Sequence, residues 1–430
     1  MKSPFAKGEG AGSGSWLKRV LLVLAAIPLL LALLFCGLIL VGMFTMLNMP
    51  GKSFQGSPPP LNLEEAQIKE RFKSKLKVLA GDIGERNSEK YENLNRAAQF
   101  IEDSLAECGY EVEKQEYEAL GKKYRNLIAT IDGANKPERI IVVGAHYDTV
   151  VGCPGADDNG TGVIAVLELA RLLRQYSGDL SVRFVLFPNE EYPFFWSQAM
   201  GSYVYATRCK QRKEDILGML ALETIGYYSE ETGSQTYPIG TLGFLPEKGN
   251  FIFFVGNYRS REFLTSSIAA FRKSATLPSE GITAYDCFRD VSRSDNNSFW
   301  AHGFPGYMVT DTANFRNPNY HLPTDTIDTI DYGRAARVVS GIKTMLVEMA
   351  RLKPVEKGDV QTSRETAGKG DKSGSNYDQN KLLRLRIALD ALVNFRTENP
   401  YLLYNSSVQI KSILSHHRGL FCSVIENPSF

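Results

Sequence analysis

The chain reads as an α/β protein with a largely parallel central sheet, preceded by one transmembrane helix, and three observations lead to that class. Strand-like and helix-like segments alternate from residue 139 to residue 352, which is the rhythm of βαβ units. Ile140 to Tyr147 is an almost unbroken apolar run, as expected of a central strand buried on both faces. Val20 to Leu47 contains no charged residue and exceeds the roughly 20 apolar residues needed to cross a bilayer.

The N-terminal run comes first. Lys2, Lys7, Lys18 and Arg19 precede it and no compact basic cluster follows, so the positive-inside bias keeps residues 1–19 in the cytoplasm and carries the rest across. A cleaved signal peptide is the alternative reading. Its apolar core is usually about 7 to 15 residues and ends in a small-x-small cleavage site, which this run lacks. Residues 48–60, ending in Pro58, Pro59 and Pro60, read as a stiff spacer from the membrane span at 20–47.

The folded domain is expected over residues 61–353. Helical spacing of apolar residues covers Leu63–Leu79 and Ser88–Cys108, the second stopped by Gly109. Strand patterns follow at Tyr110–Tyr117, Asn126–Ile131 and Arg139–Tyr147. The alternation then continues through a helix at Thr161–Tyr176, a strand at Ser181–Phe187, a helix around Gln198–Cys209 and a strand at Ile216–Glu223. A strand at Phe251–Val255, a helix at Ser260–Lys273, a strand at Gly306–Thr310 and a helix at Tyr332–Leu352 complete it. The aromatic and Gly-rich stretch between Thr224 and Phe251 interrupts the rhythm, either as a pocket-shaping insertion or as a surface excursion. Residues 354–379 have a disordered-linker composition. The tail at 380–430 has helical spacing over Leu382–Phe395 but no recognisable chemistry, His416 and His417 reading as a solvent-facing pair.

Composition narrows the function. A formal charge of +1 provides neither a basic field for nucleic acid nor an acidic excess, which leaves small or peptide-like substrates. Six cysteines show no CxxC or zinc-finger spacing, so they are not a metal site. Beyond the membrane a disulfide among Cys108, Cys153, Cys209, Cys287 and Cys422 is possible, with no pairing assignable.

Acidic and imidazole groups gather where the strands end: His146 and Asp148, Glu190 and Glu191, and Glu223. Open α/β sheets bind ligands at that edge. Singly, each piece has a plain structural explanation: a solvated Glu-Glu pair, or an N-cap for Asp157-Asp158-Asn159-Gly160, which precedes an apolar helix. Capping explains only one residue of that group, and the convergence of several strands on one edge is the stronger observation.

Five ordered blocks carry a family resemblance between about residues 85 and 350. They are Gly144-Ala145-His146-Tyr147-Asp148, Pro154 to Gly162, Asn189-Glu190-Glu191, Leu222-Glu223, and Tyr320-His321 with Asp325-Thr326-Ile327-Asp328. On these the chain resembles the co-catalytic zinc aminopeptidases, a family that also includes glutamate carboxypeptidases and glutaminyl cyclases. The resemblance implies a three-layer α/β/α sandwich with a mixed, mostly parallel central sheet and a site for two zinc ions. It makes Asp158 the bridging carboxylate, with His146 and Glu223 completing one metal, Glu191 and His321 the other, and Asp157 a neighbour only. Such a set supplies the nitrogen and oxygen donors that zinc prefers. Asp148 corresponds to the carboxylate orienting His146, Tyr320 to the hydroxyl stabilising the oxyanion, and Glu190 to the general base acting on a water held between the metals.

There are two departures: Glu223 stands where many relatives have Asp, and Ser294-Asp295-Asn296 where Ser-Asp-His is frequent, making Asp295 a pocket candidate. The resemblance implies an exopeptidase, an aminopeptidase releasing N-terminal residues, and the apolar N-terminal run would anchor it in the membrane with its peptides outside the cytoplasm. Glutaminyl cyclisation and a non-catalytic ectodomain are the alternatives. Phe194, Phe195, Trp196, Tyr227 and Tyr228 are read either as walls of an apolar substrate pocket or as packing.

Overall fold

The computed structural model describes residues 13–238, 245–285 and 288–355. The tail, most of the expected linker before it, Cys287, Cys422, His416 and His417 lie outside those residues. The first helix, α1 (Ser13–Leu47), leaves Leu21, Leu22, Leu30, Leu34 and Phe35 exposed, with Lys18–Leu47 long and apolar enough to cross a membrane. A capping box opens α2 (Leu63–Leu76), where Asn62 Oδ1 accepts from the Glu65 amide and the Glu65 carboxylate accepts from the Asn62 amide, each at 2.9 Å. The helix α3 (Tyr91–Glu107) follows.

The sheet begins with β1 (Glu113–Ala119), β2 (Lys122–Ile131) and β3 (Gly133–His146). It continues through α4 (Gly162–Leu173), β4 (Tyr176–Phe187), α5 (Gly201–Gln211) and β5 (Asp215–Glu223). After the insertion come β6 (Ile252–Asn257), α6 (Arg261–Arg272), β7 (Ser279–Ala284) and α7 (Asn296–Ala301). The last elements are β8 (Gly306–Thr310), α8 (Tyr332–Met349) and the short β9 (Lys353–Pro354).

Strand order is β1-β2-β4-β3-β5-β8-β6-β7, with β9 added on β4. Neighbours β4, β3, β5 and β8 are mutually parallel, whereas β2 runs antiparallel to β4 and β6 antiparallel to β8. From β3 the chain goes to β4 on one side and then to β5 on the other. The strand order therefore switches at β3, so a crevice opens beside its carboxyl end.

Alternation along β3 divides the core into two layers. Ile141, Val143 and Ala145 join α2, α3, α4, α6 and α8 on one face, while Ile140 and Val142 join α5 and α7 on the other. Those two clusters are the outer interfaces of a three-layer sandwich. The second face has fewer helices, and Met46 and Leu47 from the end of α1 pack against its cluster.

Three local differences from the sequence reading have physical causes. The first strand begins at Glu113 instead of Tyr110, because its register is set by the hairpin with β2. Leu120 and Gly121 make that turn with φ of +47° and +72°, the handedness a two-residue hairpin needs. Neither β7 nor α7 was foreseen, since each is only six residues long and shows too little periodicity. Residues 48–60, read as a stiff spacer, lie against the domain through contacts that no local pattern encodes. Arg272 Nη1 donates to the carbonyls of Met49, Pro50 and Gly51 at 3.1–3.3 Å, the Ser279 amide to Ser53 Oγ at 2.9 Å, and Arg337 to the Pro59 carbonyl.

Candidate active site

Gly144 of β3 is in register with Ala221 of β5. Two residues further along each strand, His146 and Glu223 share one face of the sheet at one height. Their side chains meet, with His146 Nε2 3.3 Å from Glu223 Oε2. Glu190 and Glu191 enter from the loop after β4, Asp158 from the turn before α4, and His321 from the loop after β8. Three of the connecting positions, Asn189, Thr224 and His321, have φ of +64°, +49° and +60°. Non-glycine residues enter this left-handed region only when their surroundings impose it, and such conformations concentrate at functional sites.

Asp158 lies between the two histidines. Its Oδ1 is 3.3 Å from His146 Nε2 and its Oδ2 is 3.0 Å from His321 Nε2, which also lies 3.4 Å from Glu191 Oε1. Three overlapping clusters result, His146-Asp158-Glu223, Asp158-Glu191-His321 and His146-Glu190-Glu191, each with its donor atoms within 4.8 Å of one another. Glu190 stands at the edge of the first, its Oε2 3.9 Å from His146 Nε2.

All four carboxylates are at most 7% exposed. Burying that much like charge is costly, and the protonation equilibria show it. Burial and the neighbouring carboxylates drive Glu190 well above the usual range and raise Glu191 too. His146 is raised well above its ordinary value by Glu223, Glu190 and Asp148 although burial opposes this, and His321 is pushed up to about 10, against burial, by Glu191 and Asp158. A group of this kind attracts cations. Neither Asp158 oxygen receives a hydrogen bond of normal geometry despite the adjacent imidazoles. Buried oxygens left open toward two imidazoles, with a further carboxylate on each side, fit zinc.

The surrounding hydrogen bonds fix these groups. Asp148 accepts from the Glu190 and Glu191 amides, one on each carboxylate oxygen at 3.1 Å, while its backbone carbonyl faces His146 Nδ1 at 3.2 Å. His146 is thereby tied to the Glu190–Glu191 turn and its Nε2 directed into the cluster. Glu223 is held by Ser294 Oγ at 2.7 Å and by Asn159 Nδ2 at 3.3 Å. Asp157 faces away from the cluster, accepting from the Gly226 amide at 2.9 Å and Asn317 Nδ2 at 2.8 Å. Asp325 accepts from the Asp157 and Asp158 amides at 2.9 and 3.1 Å, which orients the turn carrying Asp158. Tyr320 stacks on His321 with ring centroids 3.8 Å apart.

Arg86 was missed in the sequence. It is fully buried, and its guanidinium donates to the carbonyls of Tyr147, Pro154 and Gly155 at 2.7–2.9 Å and to Gly84 at 3.2 Å, fastening the loops that carry Asp148 and Asp158. A single arginine in a polar loop gives no periodic signal of burial. Asp311 is a second omission, accepting from Thr224 Oγ1 at 2.7 Å and the Tyr227 amide at 2.8 Å, and so holding the turn after Glu223.

A cavity of about 220 Å³ opens beside Glu223 and Tyr320. Its walls include Tyr237, Phe253, Phe288, Met308 and Phe315, but none of the five aromatics considered from sequence. Phe194 is buried against Tyr124, Phe195 stacks on Trp196, and Tyr228 packs against Arg316. Those side chains support loops. The insertion after β5 does contribute, through Gln235 to Tyr237 and Leu245. Asp295 is 1% exposed and outside the cavity wall. Cys108, Cys153 and Cys209 are free thiols.

Comparison with known proteins accords with this architecture. The family model "Peptidase family M28" matches residues 126–346. The chain is 36% identical over 286 residues to "Uncharacterized protein YfbL" of Escherichia coli, covering 64% of this chain and 87% of that one. It is 30% identical to "Probable lipoprotein aminopeptidase LpqL" of Mycobacterium tuberculosis, covering 51% of this chain and 44% of the relative, and 27% identical to "Leucine aminopeptidase 1" of Arthroderma otae, covering 53% and 58%. It thus spans about half the length of those two aminopeptidases. Among solved structures, the zinc aminopeptidase BSAP from Bacillus subtilis has the same fold, with a TM-score of 0.53 at 16% identity over 65% of this chain and 95% of that one. The chain therefore belongs to Peptidase family M28 and is a zinc metallopeptidase.

Proposed function

We propose that the protein is a membrane-anchored aminopeptidase that removes N-terminal residues from peptides outside the cytoplasm. The observation that carries this reading is the pair of clusters sharing Asp158, with a further carboxylate, Glu190, 3.9 Å from His146 Nε2 and not needed to complete either of the two. His146, Asp158 and Glu223 would hold one zinc ion, and Asp158, Glu191 and His321 a second. Zinc in these positions lowers the pKa of water and polarises a carbonyl.

The protein's own groups do the rest. Glu190 takes the proton of the attacking water and returns it to the departing amine, for which a carboxylate close to the ligands but not one of them is required. The Tyr320 hydroxyl donates to the carbonyl oxygen as it gains charge. Asp148 keeps Nδ1 of His146 engaged, so that Nε2 faces the metal. The aminopeptidase relatives support an amino-terminal direction of cleavage.

Anchoring is supported by the 30-residue apolar helix Lys18–Leu47, whose side chains along most of its length have no protein to bury them. Packing of Met46 and Leu47 against the domain core supports an uncleaved helix over a removed signal. Lys18 and Arg19 at its start support an extracytoplasmic domain.

The test is hydrolysis of aminoacyl chromogenic amides by the full chain in vesicles, with metal content measured alongside. Chelation should abolish turnover and zinc should restore it. Glu190→Gln should lower kcat by about 10² or more with two zinc ions still bound, since general-base contributions run ~10² to 10⁴. Turnover insensitive to chelation would overturn the metal mechanism, and one bound zinc would favour cyclisation over hydrolysis.

A further inference from the structure

One cavity is walled both by the candidate site residues Glu223 and Tyr320 and by Met43, Met46 and Leu47 of α1. These three helix positions follow i, i+3, i+4 spacing and therefore share one face. Counting about 20 residues for the hydrocarbon core from Val20 brings the helix to the region of Ile39. At ~1.5 Å per residue, Met43 to Leu47 then stand roughly 6 to 12 Å beyond that boundary, on the domain side. They are the end of the anchor as it emerges from the membrane.

This end of the helix does not swing freely. Met46 and Leu47 pack into the second core cluster, Met49 is buried, and Arg261 Nη2 holds the Asn48 carbonyl at 3.0 Å. Met49 also lies against β7, where a Cβ added at Gly281 would come within 2.8 Å of its Cγ. The contact covers the side of the sheet that has fewer helices and carries His146 and Glu223. A helix end fixed there is a permanent wall of the cavity.

Resting on the aminopeptidase reading above, we propose that the emerging end of α1 is a specificity-determining wall. With Phe253, Val255 and Met308 it forms an apolar receptacle for the first side chain of the peptide, of the size of Leu, Met or Phe. The dimensions suit that occupant, because a dry apolar cavity of about 150 Å³ already admits benzene, and this one measures about 220 Å³. Methionine is apt for the purpose, its flexible thioether adapting to aliphatic and aromatic groups alike. The membrane tether and the substrate pocket are then one element.

The experiment uses the full chain in lipid vesicles and compares kcat/KM on leucine, phenylalanine and alanine amides. Met43→Trp, which fills the cavity from the helix side, should reduce the leucine-to-alanine ratio at least tenfold, mainly through KM, with zinc content and melting temperature unchanged. Met43→Ala should shift preference toward phenylalanine. In a second measurement, a peptide with an N-terminal diazirine leucine, irradiated with the Glu190→Gln protein, should label the segment Met43–Leu47. Unchanged substrate ratios together with labelling confined to other segments would overturn the inference while leaving the aminopeptidase reading intact. Absence of hydrolysis of every amide by the parent protein would instead overturn the reading on which it rests, and the inference with it.

Discussion

Asp148 illustrates how one side chain organises the candidate site, because its two oxygens fix the turn carrying both Glu190 and Glu191 while its own backbone faces His146. Asp148→Asn can accept on only one oxygen, so one amide loses its partner. We expect zinc affinity or kcat to fall by about 10 to 100-fold, the usual effect of removing a group that orients a ligand, as read by metal titration and steady-state kinetics. Arg86 acts on the same loops from beneath. Arg86→Met would leave four carbonyl contacts without their donor in the interior, and should cost on the order of 3 to 5 kcal/mol in denaturant unfolding. Asp295 behaves differently. Burial pushes its carboxyl up to about 7, against the pull of His146, whereas in an unfolded chain it titrates near ~3.9. The folded state therefore holds the proton more tightly, and this contribution, full below about pH 4, is lost as pH rises through about 7. Asp295→Asn stays neutral throughout. In zinc-free protein it should melt above the parent at pH 8, with the gain disappearing near pH 4, as followed by circular dichroism.

At the scale of elements, a few close approaches determine where the side chains stand. Gly162 opens α4 directly under Asn159, and an added Cβ would collide with both Asn159 Oδ1 and the Leu222 carbonyl. Asn159 is the residue that binds Glu223 and the amides of Gly162 and Thr224. Gly162→Ala should therefore lower activity and melting temperature together. The capping box of α2 provides the contrast, since it lies far along the chain from the ligands. Asn62→Ala should cost about 1 kcal/mol of stability and leave kcat unchanged.

The whole molecule couples metal, charge and fold. Asp158, Glu190, Glu191 and Glu223 are gathered in one buried site, and their mutual repulsion is relieved when cations enter. Zinc binding to the native state alone should add stability by mass action, about 4 kcal/mol when free metal exceeds Kd a thousandfold. A chelator should accordingly lower the melting temperature by several degrees and added zinc should restore it, which differential scanning calorimetry reads directly. A protein whose melting ignored both reagents would contradict a structural contribution from the metal.

The long elements were legible in the sequence because their signals are local. Apolar runs and helical spacing marked β5, β8, α4 and α8 to within a few residues and the C-terminal part of β3, whose first six residues were missed, and strand ends rich in His, Asp and Glu marked the edge where those groups gather. Short or irregular pieces gave no such signal: β7, α7, Arg86 and Asp311 depend on partners between about 60 and 90 residues away or on packing that no local pattern encodes. By itself the sequence determined the α/β class, the apolar N-terminal helix and the identity of the residues that could hold metal. Tertiary structure alone decided that His146 and His321 approach opposite oxygens of Asp158, that Asp157 turns away, and that the end of the apolar helix α1 walls the cavity beside Glu223. The reason is physical: residue type and periodicity are properties of neighbouring positions, whereas contacts of 3.0–3.3 Å between residues as far apart in the chain as Asp158 and His321 exist only once the sheet has set its register and the loops their backbone angles.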